Sequence, residues 1–377
     1  MKVIQRSYFS RTIFSFVVLL LSILCFGCGT QMDDTANVVG WGFNMYGQLG
    51  NGDTHNSIEP VQAKGLSGVT MIAAGSIHSL ALKDDGTVWA WGNNSNGQLG
   101  DGTTTHRSEP VQVSSLSGMT MVAAGTYHSL ALKDDGTVWA WGINEYGQLG
   151  NSSMAGSDVP VLVQGLNNVV KLSAGGADNL VLKEDGTVWG WGGNTRRQLG
   201  SEDTTDQSTP IQITGLVNIT NMVTGGQHSL ALKDDGTVWA WGGNAYGQLG
   251  DGTTEPRFTP IQVQILHNVK NIAASDGVSL AILDDGTIWE WGDGIIKSER
   301  VPKQVTGVRG VTKVVIGDGF YLALKDDGTV WAWGSNRQGQ LGDGTKEYKF
   351  LPTQVPGLGS AIDVAAGTAF SLVLTGK

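Results

Sequence analysis

Residues 123–150 read AAGTYHSLALKDDGTVWAWGINEYGQLG and are the fullest copy of a unit that recurs along the chain. The Trp-Gly dipeptide of this unit recurs five times at a spacing of 50 residues and once at a spacing of 42. Its tryptophans stand at positions 41, 91, 141, 191, 241, 291 and 333. A fixed period of this length indicates a repeat architecture in which each repeat is one supersecondary unit.

Each unit predicts four short strands, which in the quoted copy cover residues 121–124, 128–133, 137–141 and 160–163. Asp-Gly between the second and third strands favours a tight hairpin turn, and the third strand is β-branched and aromatic, as strands prefer. All 13 tryptophans fall on this third strand, so we expect them to be structural. Four strands per unit, repeated radially, predict a β-propeller.

The two ends of the chain predict a closed ring rather than an open solenoid. Residues 38–42 and 60–63 supply only a third and a fourth strand, whereas residues 362–366 and 370–374 supply only a first and a second. The predicted fold is therefore all-β, a seven-bladed propeller of four-stranded blades whose terminal half-units share one blade. Closure also removes two free strand edges that would favour aggregation.

Residues 1–27 predict a signal peptide of the lipoprotein type. Three basic residues precede an apolar run over residues 13–24, which is short for a membrane-spanning helix. Gly27-Cys28 resembles the end of a bacterial lipobox, although Cys25 departs from its usual aliphatic residue. We expect lipid on Cys28, a tether over residues 28–36 and the propeller over residues 37–377. The expected location is the bacterial cell envelope outside the cytoplasm, or the medium if Cys28 carries no lipid.

The charge and cysteine content exclude several classes of function. The chain has a formal charge of −10, and cleavage before Cys28 would leave 21 basic and 34 acidic residues. Such a field repels nucleic acid and anionic headgroups, so we expect no nucleic-acid partner and membrane contact only through the lipid anchor. Cys25 and Cys28 are the only cysteines, which leaves the mature chain without a disulfide or a cysteine-rich metal site.

Histidine and aspartate, the residue types most often found in catalytic and metal sites, occupy positions that belong to the repeated framework of the unit. His78, His128 and His228 share their place in the unit with Asp, Val and Phe, which favours packing over catalysis or metal binding. The Asp-Asp pairs precede glycine in hairpins, so turn formation is favoured over calcium binding. We therefore predict no enzyme activity, no metal and no cofactor.

The consensus G-x-x-H-S-L-A-L-K-D-D-G-T-V-W-A-W-G-x-N-x-x-G-Q-L-G-D-G-T resembles the repeat of the regulator of chromosome condensation family over residues 37–377. The resemblance implies a seven-bladed propeller whose blades straddle the sequence repeat. The eponymous member is an exchange factor for the small GTPase Ran that uses an inserted hairpin and a basic tail, and neither stands in this sequence. The units are also similar to those of the secreted propeller-type β-lactamase inhibitory proteins, which implies a protein-binding role.

Specificity is expected where the units differ, because the residues common to all units serve the scaffold. Two variable spots border loops, namely the residue before the histidine position and the N-x-x-G loop, and Tyr and Arg are enriched at binding hot spots. The predicted partner-binding face consists of Tyr46, Tyr127, Tyr146, Tyr246, Arg196, Arg197 and Arg337. After Trp291 the unit lacks the N-x-x-G-Q-L-G loop, which leaves either a notch for a partner or a tolerated deletion.

The favoured function is the non-catalytic binding of an unidentified protein, as a scaffold or an inhibitor-like adaptor. The alternative is a lectin-like module that binds glycans, since radial sites with aromatic side chains suit repeated sugars. A guanine-nucleotide exchange role is a second alternative, and only the family resemblance implies it.

Overall fold

The computed structural model describes residues 37–295 and 298–376, and every regular element in them is a β-strand. The predicted signal peptide, the tether and Cys28 lie outside the described residues. Within them, no helix is long and apolar enough to cross a membrane. The strands are β1 (Val38–Gly42), β2 (Ser57–Gln62), β3 (Val69–Ala74), β4 (His78–Lys83), β5 (Val88–Gly92), β6 (Arg107–Gln112), β7 (Met119–Ala124), β8 (His128–Lys133), β9 (Val138–Gly142), β10 (Ser157–Leu162), β11 (Val169–Ala174), β12 (Asp178–Lys183), β13 (Val188–Gly192), β14 (Gln207–Ile213), β15 (Ile219–Thr224), β16 (His228–Lys233), β17 (Val238–Gly242), β18 (Arg257–Gln262), β19 (Val269–Ser275), β20 (Val278–Leu283), β21 (Ile288–Asp293), β22 (Ser298–Gln304), β23 (Val311–Gly317), β24 (Phe320–Lys325), β25 (Val330–Gly334), β26 (Lys349–Gln354), β27 (Ala361–Ala366) and β28 (Phe370–Thr375).

These strands form seven antiparallel sheets of four strands, and each sheet is one blade. Blades I to VI are β3–β6, β7–β10, β11–β14, β15–β18, β19–β22 and β23–β26, and blade VII has the order β27-β28-β1-β2. The innermost strand of each blade contacts that of the next, and β27 contacts β3, so the ring closes. The predicted seven-bladed propeller is confirmed.

Blade VII joins the two ends of the described chain. Strand β1 pairs with β28, so that Val38 lies opposite Leu374 and Gly42 lies opposite Phe370. The amide of Thr375 also donates a hydrogen bond to the carbonyl of Asn37 at 3.0 Å. The ring is therefore closed by a complete set of ladder bonds within one blade, as the two half-units predict.

The strand bounds differ from the prediction most on the outside of each blade. In blade II the outer strand begins at Ser157, three residues before Pro160, and the inner strand begins at Met119 rather than at residue 121. The outer strand has a free edge, where proline removes no ladder bond. Its register against β9 shifts between Ser157 and Val161, which accommodates the proline inside the strand.

The hydrophobic core is a ring of seven clusters, and each cluster fills the space between two adjacent blades. One of them joins Leu80 and Leu99 of blade I to Ala131 and Trp141 of blade II. The seven Trp-Gly tryptophans are at most 2% exposed, whereas the six tryptophans two residues upstream are only half-buried. The two tryptophans of a unit lie on the same face of the third strand and pack on the same cluster, as Trp139 and Trp141 do, but only the Trp-Gly residue is fully enclosed.

Candidate binding face and notch

Antiparallel pairing decides which loops share a face of the propeller. In each blade the connection from the first to the second strand lies at the same end as the connection from the third to the fourth. We call this end the loop face, and the opposite end, which carries the Asp-Gly hairpins, the hairpin face. All seven residues of the predicted binding face lie on the loop face, because each belongs to one of these two connections.

The N-x-x-G-Q-L-G segment is a rigid latch between neighbouring blades. The carbonyl of Gln98 in blade I accepts hydrogen bonds from the Trp141 indole at 2.9 Å and from Ser129 Oγ at 2.8 Å, both in blade II. A Cβ on Gly100 would lie 2.8 Å from the Trp141 ring, so only glycine allows this approach. The latch holds the variable x-x residues in fixed positions above the scaffold.

Most of the predicted binding residues are open to solvent. Tyr127, Tyr146 and Tyr246 are 37%, 44% and 46% exposed, and Arg196 and Arg337 are exposed as well. Tyr46 is half-buried, because its ring packs edge-on against His106, with the ring centroids 5.1 Å apart. It therefore offers a partner less surface than the other three tyrosines.

Arg197 has an unusual backbone conformation for its residue type. Its φ is +62°, whereas the equivalent residue in five other blades is a glycine with φ between +74° and +85°. A side chain in this region carries a local energetic cost. Such strain is common where a side chain has been kept for function rather than for stability.

The structure brings two of the predicted residues into one cavity. Tyr246 of blade IV and Arg337 of blade VI both line a cavity of about 740 Å³ above blade V. This cavity occupies the place of the missing N-x-x-G-Q-L-G loop, and we call it the notch. The other five residues are spread over the loops of blades VII, II and III, so the predicted face is a discontinuous surface.

Two substitutions at the base of the notch accompany the missing loop. Glu290 stands where complete units have alanine or glycine, and Tyr321 stands where they have serine or asparagine. Tyr321 is buried, packs edge-on against Trp333 and donates a hydrogen bond to Glu290, which also accepts one from the amide of Ile295 at 3.1 Å. Burial raises the pKa of Glu290 although both donors favour its charged form. The pair thus fills space that the latch occupies elsewhere.

The notch adjoins the central channel of the propeller. The channel has a volume of about 710 Å³ and is lined by the innermost strands of all seven blades. Polar bonds join neighbouring blades across its wall, for example Lys313 to Asp363 at 2.5 Å and Asn221 to Asn271 at 3.2 Å. At the loop face, Asp276 and Asp318 line both the channel and the notch.

His78, His128 and His228 are buried between blades, at the positions that the sequence indicates. His78 Nε2 lies 2.9 Å from Ser129 Oγ, and His128 Nε2 lies 2.7 Å from Asn179 Oδ1. Asp178 takes the same place in blade III, where burial raises its pKa to about 7 although Thr224 donates a hydrogen bond to it. No cluster of three or more His, Cys, Asp or Glu side chains that could hold a metal ion occurs among the described residues.

The paired aspartates serve the turns. The second aspartate of the hairpin, such as Asp135, accepts hydrogen bonds from the amide and hydroxyl of Thr137 at 3.0 and 2.5 Å. A hydrogen bond from Lys133 Nζ at 2.7 Å, together with the two bonds from Thr137, lowers the pKa of Asp135 to about 2. The carboxylate is thus engaged by its own hairpin, as the sequence pattern predicts.

Sequence reasoning missed the carboxylates and tyrosines that line the notch or form its base, namely Asp276, Asp318, Glu290, Tyr321 and Tyr348. A signal for four of them was present, because each departs from the repeat consensus in blade V or VI, beside the deletion. Position-by-position comparison of the units would have found Glu290 and Tyr321, which replace small residues. It would not have shown that they touch.

Together, the closed ring of seven blades, the latch loops and the variable loop face define a seven-bladed β-propeller built from one repeated unit. The chain belongs to the regulator of chromosome condensation family. The model of the RCC1-like domain matches residues 155–377, and two models of the regulator of chromosome condensation (RCC1) repeat match residues 37–82 and 85–132, and residues 69–98 and 121–148.

Solved structures share the fold over nearly the whole chain. Human WBSCR16 is 25% identical with a TM-score of 0.82, over 91% of this chain and 99% of that one. Prp20p from Saccharomyces cerevisiae, a protein with binding properties to Gsp1p and histones, is 24% identical with a TM-score of 0.81, over 92% of each chain. Yeast RCC1 (Prp20) bound to Kap60 is 24% identical with a TM-score of 0.80, over 91% of this chain and 89% of that one.

Proposed function

We propose that this chain is a non-catalytic protein-binding propeller that acts through its loop face, as a scaffold or an inhibitor-like adaptor. The observation that carries the proposal is the exposure of Tyr127, Tyr146 and Tyr246 on one face of an otherwise uniform scaffold. Exposed tyrosines supply large, rigid contact areas at a small entropic cost, which suits protein recognition. Arg197 lies on the same face, and its strained backbone supports the proposal that its side chain is kept for binding.

The proposal includes display outside the cytoplasm through a lipid on Cys28. A short tether would hold the loop face near other envelope proteins while the rigid ring keeps its shape. Binding of protein partners by the similar yeast Prp20p supports a protein partner here, without naming it.

The test is affinity capture from the native envelope followed by mass spectrometry. The variant replaces Tyr46, Tyr127, Tyr146 and Tyr246 with alanine, and the matched control replaces Val217 and Ile265, which are 63% and 51% exposed on the hairpin face. We expect the tyrosine variant to lose the partners that the wild type and the control retain, because a hot-spot side chain is worth about 2 kcal/mol or more.

Two results would contradict the proposal. The first is a folded tyrosine variant that captures the same proteins as the wild type. The second is strong multivalent binding to a glycan array with no protein captured, which would favour the lectin-like alternative.

A further inference from the structure

The notch and the mouth of the channel form one continuous groove. Ser275, Asp276, Gly317, Asp318 and Thr368 line both cavities, which have volumes of about 740 and 710 Å³. In blade V no latch loop separates the channel mouth from the blade edge. The groove therefore runs outward from the channel across blade V, between the loops of blades IV and VI.

The inner part of this groove carries unbalanced negative charge. Asp276 and Asp318 are exposed there, and neither forms an ion pair with any described residue. Desolvation by the groove walls and, secondarily, the nearby Asp318 raise the pKa of Asp276. Asp293 adds a third carboxylate, whereas Arg337 is the one cation among the described residues that line the notch. Two carboxylates that repel each other are stabilised by a cation placed between them.

The outer part of the groove is aromatic. The Tyr246 ring packs over Gly277 on the blade IV side, and Tyr348 donates a hydrogen bond to the carbonyl of Ile295 on the blade VI side. Just outside the notch lining, Phe350 is 67% exposed and packs against Tyr348, with the ring centroids 4.6 Å apart. Such rings accept a cation on their faces and apolar side chains on their edges.

We infer that this groove binds an extended basic segment of a partner protein, with a Lys or Arg side chain between Asp276 and Asp318 and an apolar neighbour against Tyr348 and Phe350. The inference rests on the proposed function and adds the chemistry of the partner. A cation is favoured over a sugar because only a positive charge relieves the repulsion between the two carboxylates. The formal charge of −10 on the chain also attracts a basic partner.

The test begins by panning a displayed library of random seven-residue peptides against the folded propeller. We expect enrichment of peptides that contain Arg or Lys beside an aromatic or aliphatic residue. A fluorescein-labelled copy of the most enriched peptide is then titrated by anisotropy, together with a copy in which citrulline replaces arginine, or norleucine replaces lysine. The uncharged copy removes the charge and keeps nearly the same shape.

The protein variants are Asp276→Asn/Asp318→Asn and the matched control Asp84→Asn/Asp134→Asn, which makes the same charge change on the hairpin face. We expect the groove variant to weaken binding of the basic peptide by about tenfold or more and the control by less than about twofold. The groove variant should melt at the same temperature as the wild type or higher, since it removes a repulsion. Tyr348→Ala/Phe350→Ala should weaken the same peptide without any change of charge.

Three outcomes overturn the inference. They are enrichment of peptides without basic residues, equal binding of the charged and uncharged copies, and equal binding by the wild type and the groove variant. If the peptides instead depend on Tyr46 and Tyr146, the groove is excluded and the proposed function stands. If no peptide binds and no envelope protein is captured, both fail.

Discussion

The histidine position shows how one place in the unit tolerates different residues. The rings of His78, Phe320 and Phe370 all lie over the glycine three residues upstream. Where blade V has Ser275 in place of that glycine, the following ring is replaced by the smaller Val278. The scaffold therefore requires a packed side chain of suitable volume rather than an imidazole.

Substitution of His78 by phenylalanine tests this interpretation through its pH dependence. Burial, with a smaller contribution from His128, lowers the pKa of His78 to about 3. Because histidine in an unfolded chain has a pKa near about 6.5, only the unfolded state gains the proton as the pH falls below that value. The folded state thus loses stability from about pH 6.5 down to about pH 3 through this group.

We expect His78→Phe to be nearly neutral at pH 7 and more stable than the wild type by about 1–2 kcal/mol at pH 5. Ser129 keeps its hydrogen bond to the Gln98 carbonyl at 2.8 Å in the variant, as Ser371 does beside Phe320. Urea unfolding at the two pH values measures the difference. A loss of several kcal/mol at pH 7 would instead assign a structural role to the imidazole.

Blade V shows how a single element adapts to a lost loop. At six blade interfaces, the glutamine carbonyl of the latch accepts a hydrogen bond from the Trp-Gly indole of the next blade. At the interface between blades V and VI, the loop that would supply this carbonyl to Trp333 is missing. Tyr321 and Glu290 occupy that space and bond to each other. The deletion is thus accommodated by larger side chains rather than by collapse of the blade, which leaves the notch open above them.

We expect Tyr321→Phe to lower the free energy of unfolding by about 1–3 kcal/mol, because it leaves the half-buried Glu290 carboxylate with one donor fewer. In a Glu290→Ala background the same change should cost much less, and the double-mutant cycle gives the coupling. Tyr348→Phe, which removes the hydroxyl of an exposed tyrosine, is the matched control. Equal effects of Tyr321→Phe in both backgrounds would contradict the pairing.

At the scale of the whole molecule, stability depends on ring closure. Each core cluster lies between two blades, so each blade is supported only by its neighbours, and blade VII is assembled from both ends of the chain. An open ring would expose two apolar blade faces as well as unpaired strand edges. Closure should therefore make unfolding of the propeller cooperative.

Deletion of residues 361–377 should abolish cooperative folding, because β1 loses its partner β28 and blade VII loses its two inner strands. A circular permutant should fold: Asp-Asp-Gly-Thr joins Thr375 to Val38, as in the hairpins of the other blades, and new ends open at Gly165 in the connection between blades II and III. Circular dichroism melting and size-exclusion chromatography compare the two chains. A truncated chain that melts as sharply as the wild type would show that closure is dispensable.

The sequence by itself determined the number of blades and the shared closing blade, because a strand pattern that recurs at intervals of 50 residues, and once at 42, encodes each blade locally. The tertiary structure alone decided what the notch contains. Tyr246, Asp276, Arg337 and Tyr348 belong to three units and meet only because blades IV, V and VI are neighbours in the ring. Whether a carboxylate is paired, repelled or buried depends on such contacts between units, which no pattern within one unit records.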